Sequence, residues 1–366
     1  MKNVLLFLMT MIGYKAAAAA DFVVTTNADS GPGSLRTAIL QANANGTASP
    51  DLIRFNLPVT TVAGRTIYLN SSLPTLTSYI TIDGSTQVGA PFGISLARVV
   101  LVAPNVSPFI YVLIDKATNV NLYGLCFRSM GDPTMSDRDH YAIGLKGSSH
   151  ISIGTINKGN LFTGVRNAIT NKFWDHQGDS AIDITIQGNV FGMQADNTPS
   201  KGGNITLTQA ANLTIGADDP SYGNVFVGCI VDITQSPNSS HAFFADIRLN
   251  RFNLDWTSTI SYKLPGGLYL AGNNNDSRHT TKTQLVGNHF ISTAGGIVYP
   301  NYCTKPSLPA TSWASIRPAP VARHPPTSVS KTASTYSWVA MPHKNKIVSP
   351  VPLPPNGRVY TSSRTN

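Results

Sequence analysis

Short runs in which apolar and polar residues alternate recur along the chain between residues 50 and 300. A period of two places every apolar side chain of a run on one face, which is typical of a strand rather than a helix. Gly and Asn residues separate most of the runs. The clearest apolar pairs are Ile80/Ile82, Val120/Leu122, Ile143/Leu145, Ile151/Ile153, Ile182/Ile184/Ile186, Leu213/Ile215 and Ile247/Leu249. The pattern predicts many short strands joined by tight turns.

A second pattern, Asn followed two residues later by Phe, repeats within the same region. It occurs at Asn160/Phe162, Asn189/Phe191, Asn224/Phe226, Asn250/Phe252 and Asn288/Phe290, at spacings of 29, 35, 26 and 38 residues. Such a repeat predicts a solenoid, in which stacked coils form one continuous core. We expect the Phe rings to stack inside, and each Asn to adopt a left-handed turn and bond to the Asn of the next coil. A β-sandwich is the alternative, but it predicts no such motif.

Residues 21–60 differ from the repeats and predict a cap for the open end of the solenoid. Ser34 is suited to begin a helix over about residues 35–44. The apolar face of that helix consists of Leu35, Ala38, Ile39 and Ala42. A helix laid over the first coil covers strand edges that otherwise promote aggregation. Strands are expected next at residues 52–55, 66–69 and 79–82.

The segment SLRTAILQANAN, followed by PDLIRFNLP and ITIDGSTQ, resembles the amino-terminal cap of bacterial exported right-handed parallel β-helix repeat proteins with a CSLREA-like start. The units TIGADDPSYGNVFVG and SIGTINKGNLFTG are similar to the coil repeats of that group. The resemblance covers about residues 21–300, although Gly33 stands where the group's pattern begins with Cys. It implies an all-β right-handed parallel β-helix with a short capping helix, with the cap at about 21–60 and the coils at about 61–300. Many such proteins are surface or secreted proteins without an assigned activity, and some related β-helices are polysaccharide lyases or hydrolases.

The charge of the chain is concentrated at its carboxyl end. The formal net charge is +9, but residues 301–366 contain eight basic residues and no acidic one. Residues 1–300 therefore hold 19 basic and 18 acidic residues, and this nearly neutral body lacks the basic surface that nucleic-acid binding requires. All 18 acidic residues are Asp, which excludes any mechanism that needs Glu.

The first 20 residues are typical of an export signal. Lys2 supplies a positive start, residues 4–14 form an apolar run, and residues 16–20 are alanines suited to cleavage. The apolar run is too short to span a membrane, and no other segment of the sequence predicts a transmembrane helix. We expect cleavage near Ala20 and a mature protein that is secreted, periplasmic or attached to the cell surface.

Residues 301–366 break the repeat pattern. They hold 11 of the 24 Pro residues but one of the 30 Gly residues, a composition typical of a disordered segment rather than of coil strands. There are two alternatives: this basic segment binds an anionic cell surface, or it is a non-native continuation caused by a shifted reading frame. Translation of the other frames past codon 300 tests the second alternative, which requires further Gly- and Asn-rich repeats there.

The cysteine and histidine residues predict neither a disulfide framework nor a metal site. Cys126, Cys229 and Cys303 are far apart in the sequence, and the eight His residues show no ligand-like spacing with them. Cys126 and Cys229 lie in apolar segments, so we expect them to be small buried hydrophobic residues.

The stretch NKFWDHQGDSAIDITIQGNVF contains most of the candidate chemistry. Its WDH and GDSAIDI parts resemble segments of pectate lyases and polygalacturonases, respectively. If Ile182, Ile184 and Ile186 point inward, Asp183 and Thr185 face outward, where β-helix enzymes hold their substrates. The candidate catalytic residues are Asp175, His176, Asp179, Asp183, Asp218 and Asp219. The aromatic candidates for stacking on sugar rings are Trp174, Tyr222, Tyr262 and Tyr269.

Two functions follow from these residues. The first, which we favour, is a non-enzymatic protein with a structural, adhesive or carbohydrate-contacting role. Its expected partners are extracellular polysaccharide or cell-surface components, and it needs no cofactor. The second is a polysaccharide lyase or glycoside hydrolase. Hydrolysis requires one carboxyl group as acid and one as base or nucleophile, whereas a lyase requires calcium-binding carboxylates and a proton acceptor. The Gly-His-Gly and Arg-Ile-Lys elements of the hydrolases are absent, and Asp is also common in turns.

Overall fold

The structure is a computed structural model that describes residues 19–130, 140–172, 180–234, 244–257, 260–262, 264–271, 282–291 and 298–301. The chain divides after Ala314 into two units, and all of these residues belong to the first unit. Residues 1–18 of the predicted export signal and the tail beyond residue 301 lie outside the described residues. Within the described part of the chain, no helix is both long and apolar enough to cross a membrane.

Strands dominate the described residues, and they form three sheets in which all named strands pair in parallel. Sheet A comprises Asp21–Val24, Asp51–Phe55, Ile80–Asp83, Thr118–Tyr123, Ser149–Ile153, Ala181–Ile186, Ala210–Gly216, Phe244–Arg248 and Lys282–Val286. Sheet B comprises Thr66–Tyr68, Val99–Ala103, Leu125–Ser129, Leu161–Thr163, Val190–Phe191, Val225–Phe226, Arg251–Phe252 and His289–Phe290. Sheet C comprises Phe109–Asp115, His140–Lys146, Asn167–Thr170, Asn204–Thr208, Ile230–Thr234, Gly267–Ala271 and Val298–Asn301. Short 3₁₀ turns lie at Ala63–Arg65, Gly84–Thr86 and Pro220–Tyr222.

The chain passes through the three sheets in a fixed order from residue 80 onward. After a strand in sheet A it forms one in sheet B and one in sheet C, and then returns to sheet A beside its previous strand. We call one such circuit a coil. Successive coils pair in register, so that Ile151 lies between Val120 and Ile184. The all-β, parallel arrangement confirms the predicted short strands and is compatible with a parallel β-helix.

The predicted cap helix is present at Leu35–Asn45. Ser34 is its N-cap, and the Ser34 hydroxyl oxygen accepts a hydrogen bond of 3.2 Å from the Thr37 backbone N–H. Its buried residues are the four that the sequence predicts, Leu35, Ala38, Ile39 and Ala42. The helix packs against the first two strands of sheet A, at the amino-terminal side of the stack.

The core contains a continuous stack of Phe rings on the inner side of sheet B. The stacked residues are Phe127, Phe162, Phe191, Phe226, Phe252 and Phe290. Neighbouring ring centroids lie 4.4–5.2 Å apart, and their planes differ by 4–17°. In-register parallel strands are about 4.8 Å apart, so identical residues at one position of each coil stack face to face. The predicted Phe stack is confirmed, and it also includes Phe127, whose coil lacks the Asn of the motif.

The motif's Asn residues form a buried ladder beside the rings. Asn189 shows the pattern: its Nδ2 donates to Ile153 O at 2.8 Å and to Asn224 Oδ1 at 3.0 Å. Its Oδ1 accepts from the backbone N–H and the Nδ2 of Asn160, at 2.9 and 3.0 Å. The same bonds continue from Asn224 through Asn250 to Asn288. Each amide therefore satisfies backbone groups of neighbouring coils that water does not reach, and the predicted ladder is confirmed.

The prediction that these Asn residues adopt a left-handed conformation is wrong. The left-handed residue is instead the preceding one in several coils, as at Gly188 with φ 67° and Leu249 with φ 54°. The ladder explains the difference, because an Asn side chain that points into the core must already be part of the extended backbone. The turn therefore falls one residue earlier.

The strand Ala181–Ile186 also departs from simple alternation. Asp183 has φ 55°, and this left-handed residue interrupts the period of two. Ala181 and Ile184 are consequently buried, whereas Ile182 is only half-buried and does not point inward as predicted. Asp183 and Thr185 are half-buried and face the outer surface, as predicted.

Cys126 and Cys229 are buried free thiols, as predicted. Burial raises the pKa of each thiol to about 12. Both thiols therefore stay protonated at neutral pH and act as packing residues. Cys303 lies outside the described residues.

Candidate functional site

The outer face of sheet A has a central row of small hydroxyl and amide side chains. The row consists of Thr81, Asn121, Ser152, Thr185 and Thr214, each paired with the next across neighbouring strands. All five are half-buried. With about 4.8 Å between strands, the row extends over about 19 Å. We call it the hydroxyl–amide row. It offers hydrogen-bond donors and acceptors at a regular spacing without a formal charge.

A second row runs beside it, formed by left-handed residues near the start of four successive sheet A strands. Its members are Asn119, His150, Asp183 and Asn212, with φ values of 58°, 54°, 55° and 52°. The left-handed backbone turns these side chains outward next to one another. His150 Nε2 lies 3.2 Å from Asp183 Oδ2, and Asn212 Nδ2 donates to Asp183 Oδ1 at 2.8 Å. Both carboxylate oxygens of Asp183 therefore have a partner from an adjacent coil.

The two rows meet in an open depression around Asp183. It is lined by Asp183, Thr185, Asn212, Thr214 and Phe244. The Asp183 side chain is 33% exposed and that of His150 is 59% exposed, so a ligand in solution reaches both. We call this the Asp183 depression. It combines a carboxylate, an amide, two hydroxyls and an aromatic ring in one small area.

Asp218 and Asp219 do not join Asp183. Asn212 lies beside Asp183, and Asp218 follows beyond Gly216 at the other end of the same strand. The step of four residues from Asn212 to Gly216 alone corresponds to about 13 Å along the strand. Asp218 instead forms an ion pair with Arg248, which also donates a hydrogen bond to Asp246. These bonds raise the pKa of Arg248, and the hydrogen bond that it donates to Asp246 contributes most.

Asp219 is a turn residue. Its Oδ1 accepts hydrogen bonds from the Ser221 backbone N–H at 2.8 Å and from the Ser221 hydroxyl at 2.6 Å. These bonds hold the pKa of Asp219 below its usual range. Asp219 thereby caps the 3₁₀ turn Pro220–Tyr222, which is the ordinary role of Asp in a turn.

The aromatic candidates lie in separate parts of the surface. Tyr222 ends a 3₁₀ turn between sheets A and B, Tyr262 packs against a small apolar cluster outside sheet B, and Tyr269 lies in a strand of sheet C. All three are half-buried. The structure does not bring them together into one stacking surface. Trp174, Asp175, His176 and Asp179 lie outside the described residues, so their roles stay predictions.

No three His, Cys or Asp side chains come together in a way that fits a metal ion among the described residues.

The sequence interpretation missed three residues of the Asp183 depression and its border: His150, Asn212 and Phe244. His150 and Asn212 carried a usable signal. Each precedes an apolar strand residue by one position, as Asp183 precedes Ile184, and register alignment of these residues places the three side by side. Phe244 has no such signal, because its strand does not begin with a recognisable repeat unit.

Comparison with known proteins gives little further information. No family model matches the chain, and no curated protein matches it. Among solved structures, one described as "Geobacillus virus E2 - ORF18" superposes with a TM-score of 0.33 at 11% sequence identity. The match covers 76% of this chain and spans 54% of that chain's length. We draw no conclusion about function from so distant a likeness.

Proposed function

We propose that the protein is an exported right-handed parallel β-helix protein that contacts neutral polysaccharide chains through the outer face of sheet A. The observation that carries this proposal is the Asp183 depression. A carboxylate and an amide bind neighbouring sugar hydroxyls, and an aromatic ring packs against the apolar face of a sugar. Asp183, Asn212 and Phe244 supply these three groups side by side.

The hydroxyl–amide row extends this contact across several coils. Thr185 and Thr214 belong both to the row and to the depression, so a chain seated at Asp183 continues along the row without a break. Hydroxyl and amide groups match the hydroxyls of a neutral sugar chain. An acidic chain would bring its carboxylates close to Asp183, where the two negative charges repel. The proposal is therefore specific to neutral polysaccharides.

The resemblance of the cap and the coils supports membership in the CSLREA-like group of exported β-helix proteins, and with it a location outside the cytoplasm. The cap helix at Leu35–Asn45 packs where that resemblance implies.

The amino-terminal sequence of the protein purified from its natural source tests export. We expect it to begin near Asp21, whereas a mature protein that still begins at Met1 would rule out the cleaved signal.

Replacing Asp183 with asparagine, or Phe244 with alanine, should weaken binding to neutral polysaccharide by about tenfold or more, which is about 1.4 kcal/mol. Asn is tolerated at the left-handed position of Asp183, so that variant should keep its stability. The measurement is retardation of the full chain in native gels that contain dextran, xyloglucan or galactomannan.

The matched control is Asp115→Asn. Asp115 is 30% exposed and forms an ion pair with Lys146, but it lies in sheet C rather than in sheet A. We expect this variant to be retarded like the unmodified protein. Equal retardation of all variants, or no retardation by any polysaccharide, would contradict the proposal.

The enzymatic alternative has one observation in its favour. His150 Nε2 faces the Asp183 carboxylate at 3.2 Å, and His150 Nδ1 faces the Thr118 hydroxyl at 3.4 Å. An imidazole held by a carboxylate is an arrangement that serves a general base. Of the two enzymatic mechanisms, only that of a lyase requires calcium.

Incubation with a panel of neutral and acidic polysaccharides tests that alternative, through the release of reducing ends and of unsaturated products. If the protein is an enzyme, Asp183→Asn and His150→Ala should each lower turnover by about 100-fold or more. If the unmodified protein releases no product, the enzymatic function is ruled out and binding alone is left.

A further inference from the structure

A second cleft lies on the outer face of sheet B, apart from the face of sheet A that is proposed to contact sugars. It has a volume of about 200 Å³. Its floor includes Cys126, Arg128 and Thr163 from adjacent sheet B strands, and its sides include Val62 and Phe92. The cleft thus places one cation and one hydroxyl next to an apolar surface.

The sides of the cleft are joined by contacts between distant parts of the chain. The Ile94 backbone N–H donates to Asn197 Oδ1 at 2.6 Å, across 103 residues of sequence. The Trp256 indole N–H donates to Ile94 O at 2.7 Å. The first contact anchors the segment that holds Phe92 against the turn that holds Asp196, and the second anchors the same segment to Trp256. A site whose walls are held in place loses less conformational entropy when a ligand binds.

Arg128 is the unused group in this cleft. Its side chain is half-buried, and its guanidinium has no hydrogen bond or ion pair to any residue in the described ranges. A guanidinium pairs best with a carboxylate through two parallel hydrogen bonds. Arg65 lies over the Phe92 ring at 4.6 Å, so a second cation lies beside the cleft.

The acidic residue of the lining does not neutralise Arg128 directly. Asp196 Oδ1 accepts from the Thr198 backbone N–H at 2.9 Å and from the Thr198 hydroxyl at 2.6 Å. It forms no ion pair with Arg128. Asp196 and Thr163 both line the cleft, and a carboxylate and a hydroxyl are groups that suit the hydroxyls of a polar ligand.

We propose that this cleft binds a hexuronate ring. The sugar carboxylate pairs with Arg128, the ring hydroxyls bond to Thr163 and Asp196, and the apolar face of the ring packs against Val62 and Phe92. The ring comes either as a free sugar acid or as a unit of an acidic polysaccharide. The proposal does not depend on polysaccharide binding at sheet A, because the two sites lie on different sheets and share no residue.

Calorimetric titration of the full chain tests this site, with galacturonate and glucuronate as ligands and galactose and glucose as their neutral counterparts. We expect each uronate to bind at least tenfold more tightly than its neutral sugar. Arg128→Gln should remove that preference. Arg54→Gln is the matched control, since Arg54 is an exposed Arg paired with Asp21 in sheet A, and it should keep the preference.

Val62→Trp provides a second variant, because Val62 is 51% exposed beside the cleft and a larger side chain there blocks entry without disturbing the core. It should abolish uronate binding. Asp183→Asn should leave uronate binding unchanged, which separates this site from the one on sheet A.

An oligogalacturonide that binds at least as tightly as galacturonate identifies the polymer as the source of the ring, and binding of the monomer alone identifies a free sugar acid. Equal affinity for acidic and neutral sugars, no uronate binding at all, or unchanged binding by Arg128→Gln would overturn the proposal.

Discussion

Replacing Asn224 with leucine should lower the free energy of unfolding by about 3–5 kcal/mol. Asn224 is completely buried, and its Nδ2 donates to Ile186 O and to Asn250 Oδ1, both at 2.9 Å. Its Oδ1 accepts two bonds of 3.0 Å from Asn189. Leucine has nearly the same volume but no polar atom, so it leaves several buried donors and acceptors unpaired. Each of these groups costs about 1–3 kcal/mol.

Urea unfolding followed by circular dichroism measures this loss. Asn105→Leu is the control, because Asn105 is exposed in the loop between sheets B and C. A surface change of that kind should stay within about 0.5 kcal/mol of the unmodified protein. If Asn224→Leu is as stable as the control, the ladder does not contribute to the stability of the coils.

Replacing Phe191 with alanine should also lower the free energy of unfolding by about 3–5 kcal/mol. The Phe191 ring is fully buried between Phe162 and Phe226, with both centroid distances 4.7 Å. The backbone hydrogen bonds between neighbouring coils fix the spacing of the coils, so the coils do not collapse into the space that alanine leaves. The cost therefore includes a cavity as well as the lost apolar burial.

The same unfolding experiment provides the comparison. Tyr68→Ala removes an aromatic ring from the outer side of sheet B, where Tyr68 is 53% exposed, and should cost much less. Phe191→Leu should fall between the two because leucine fills part of the space. A Phe191→Ala variant no less stable than Tyr68→Ala would show that the rings do not stack as described.

The sequence predicted the parts of the fold that depend on one residue type at one position of each coil. The Phe stack and the Asn ladder follow from a spacing that needs no knowledge of the loops, since in-register strands align equal positions. The same reasoning failed where two properties of Asn competed. Asn favours a left-handed backbone and also hydrogen bonds across coils, and in Asn189 the second property determines the backbone.

The candidate site was only partly predictable. Asp183 was identified from its place between apolar residues, but its partner His150 lies 33 positions earlier, and the coil between them includes loops whose length no local pattern fixes. The cleft at Arg128 was less accessible still. Its walls depend on Ile94 and Asn197, which meet only after four coils have stacked.

Sheet A should seat a neutral sugar chain at the Asp183 depression. A crystal structure of the protein soaked with an oligosaccharide of the polysaccharide that retards it most tests this claim directly. We expect a sugar ring against Phe244, with its hydroxyls within hydrogen-bond distance of Asp183 and Asn212 and with further rings along the hydroxyl–amide row. An oligosaccharide bound to another face, with the Asp183 depression free of sugar, would contradict the account.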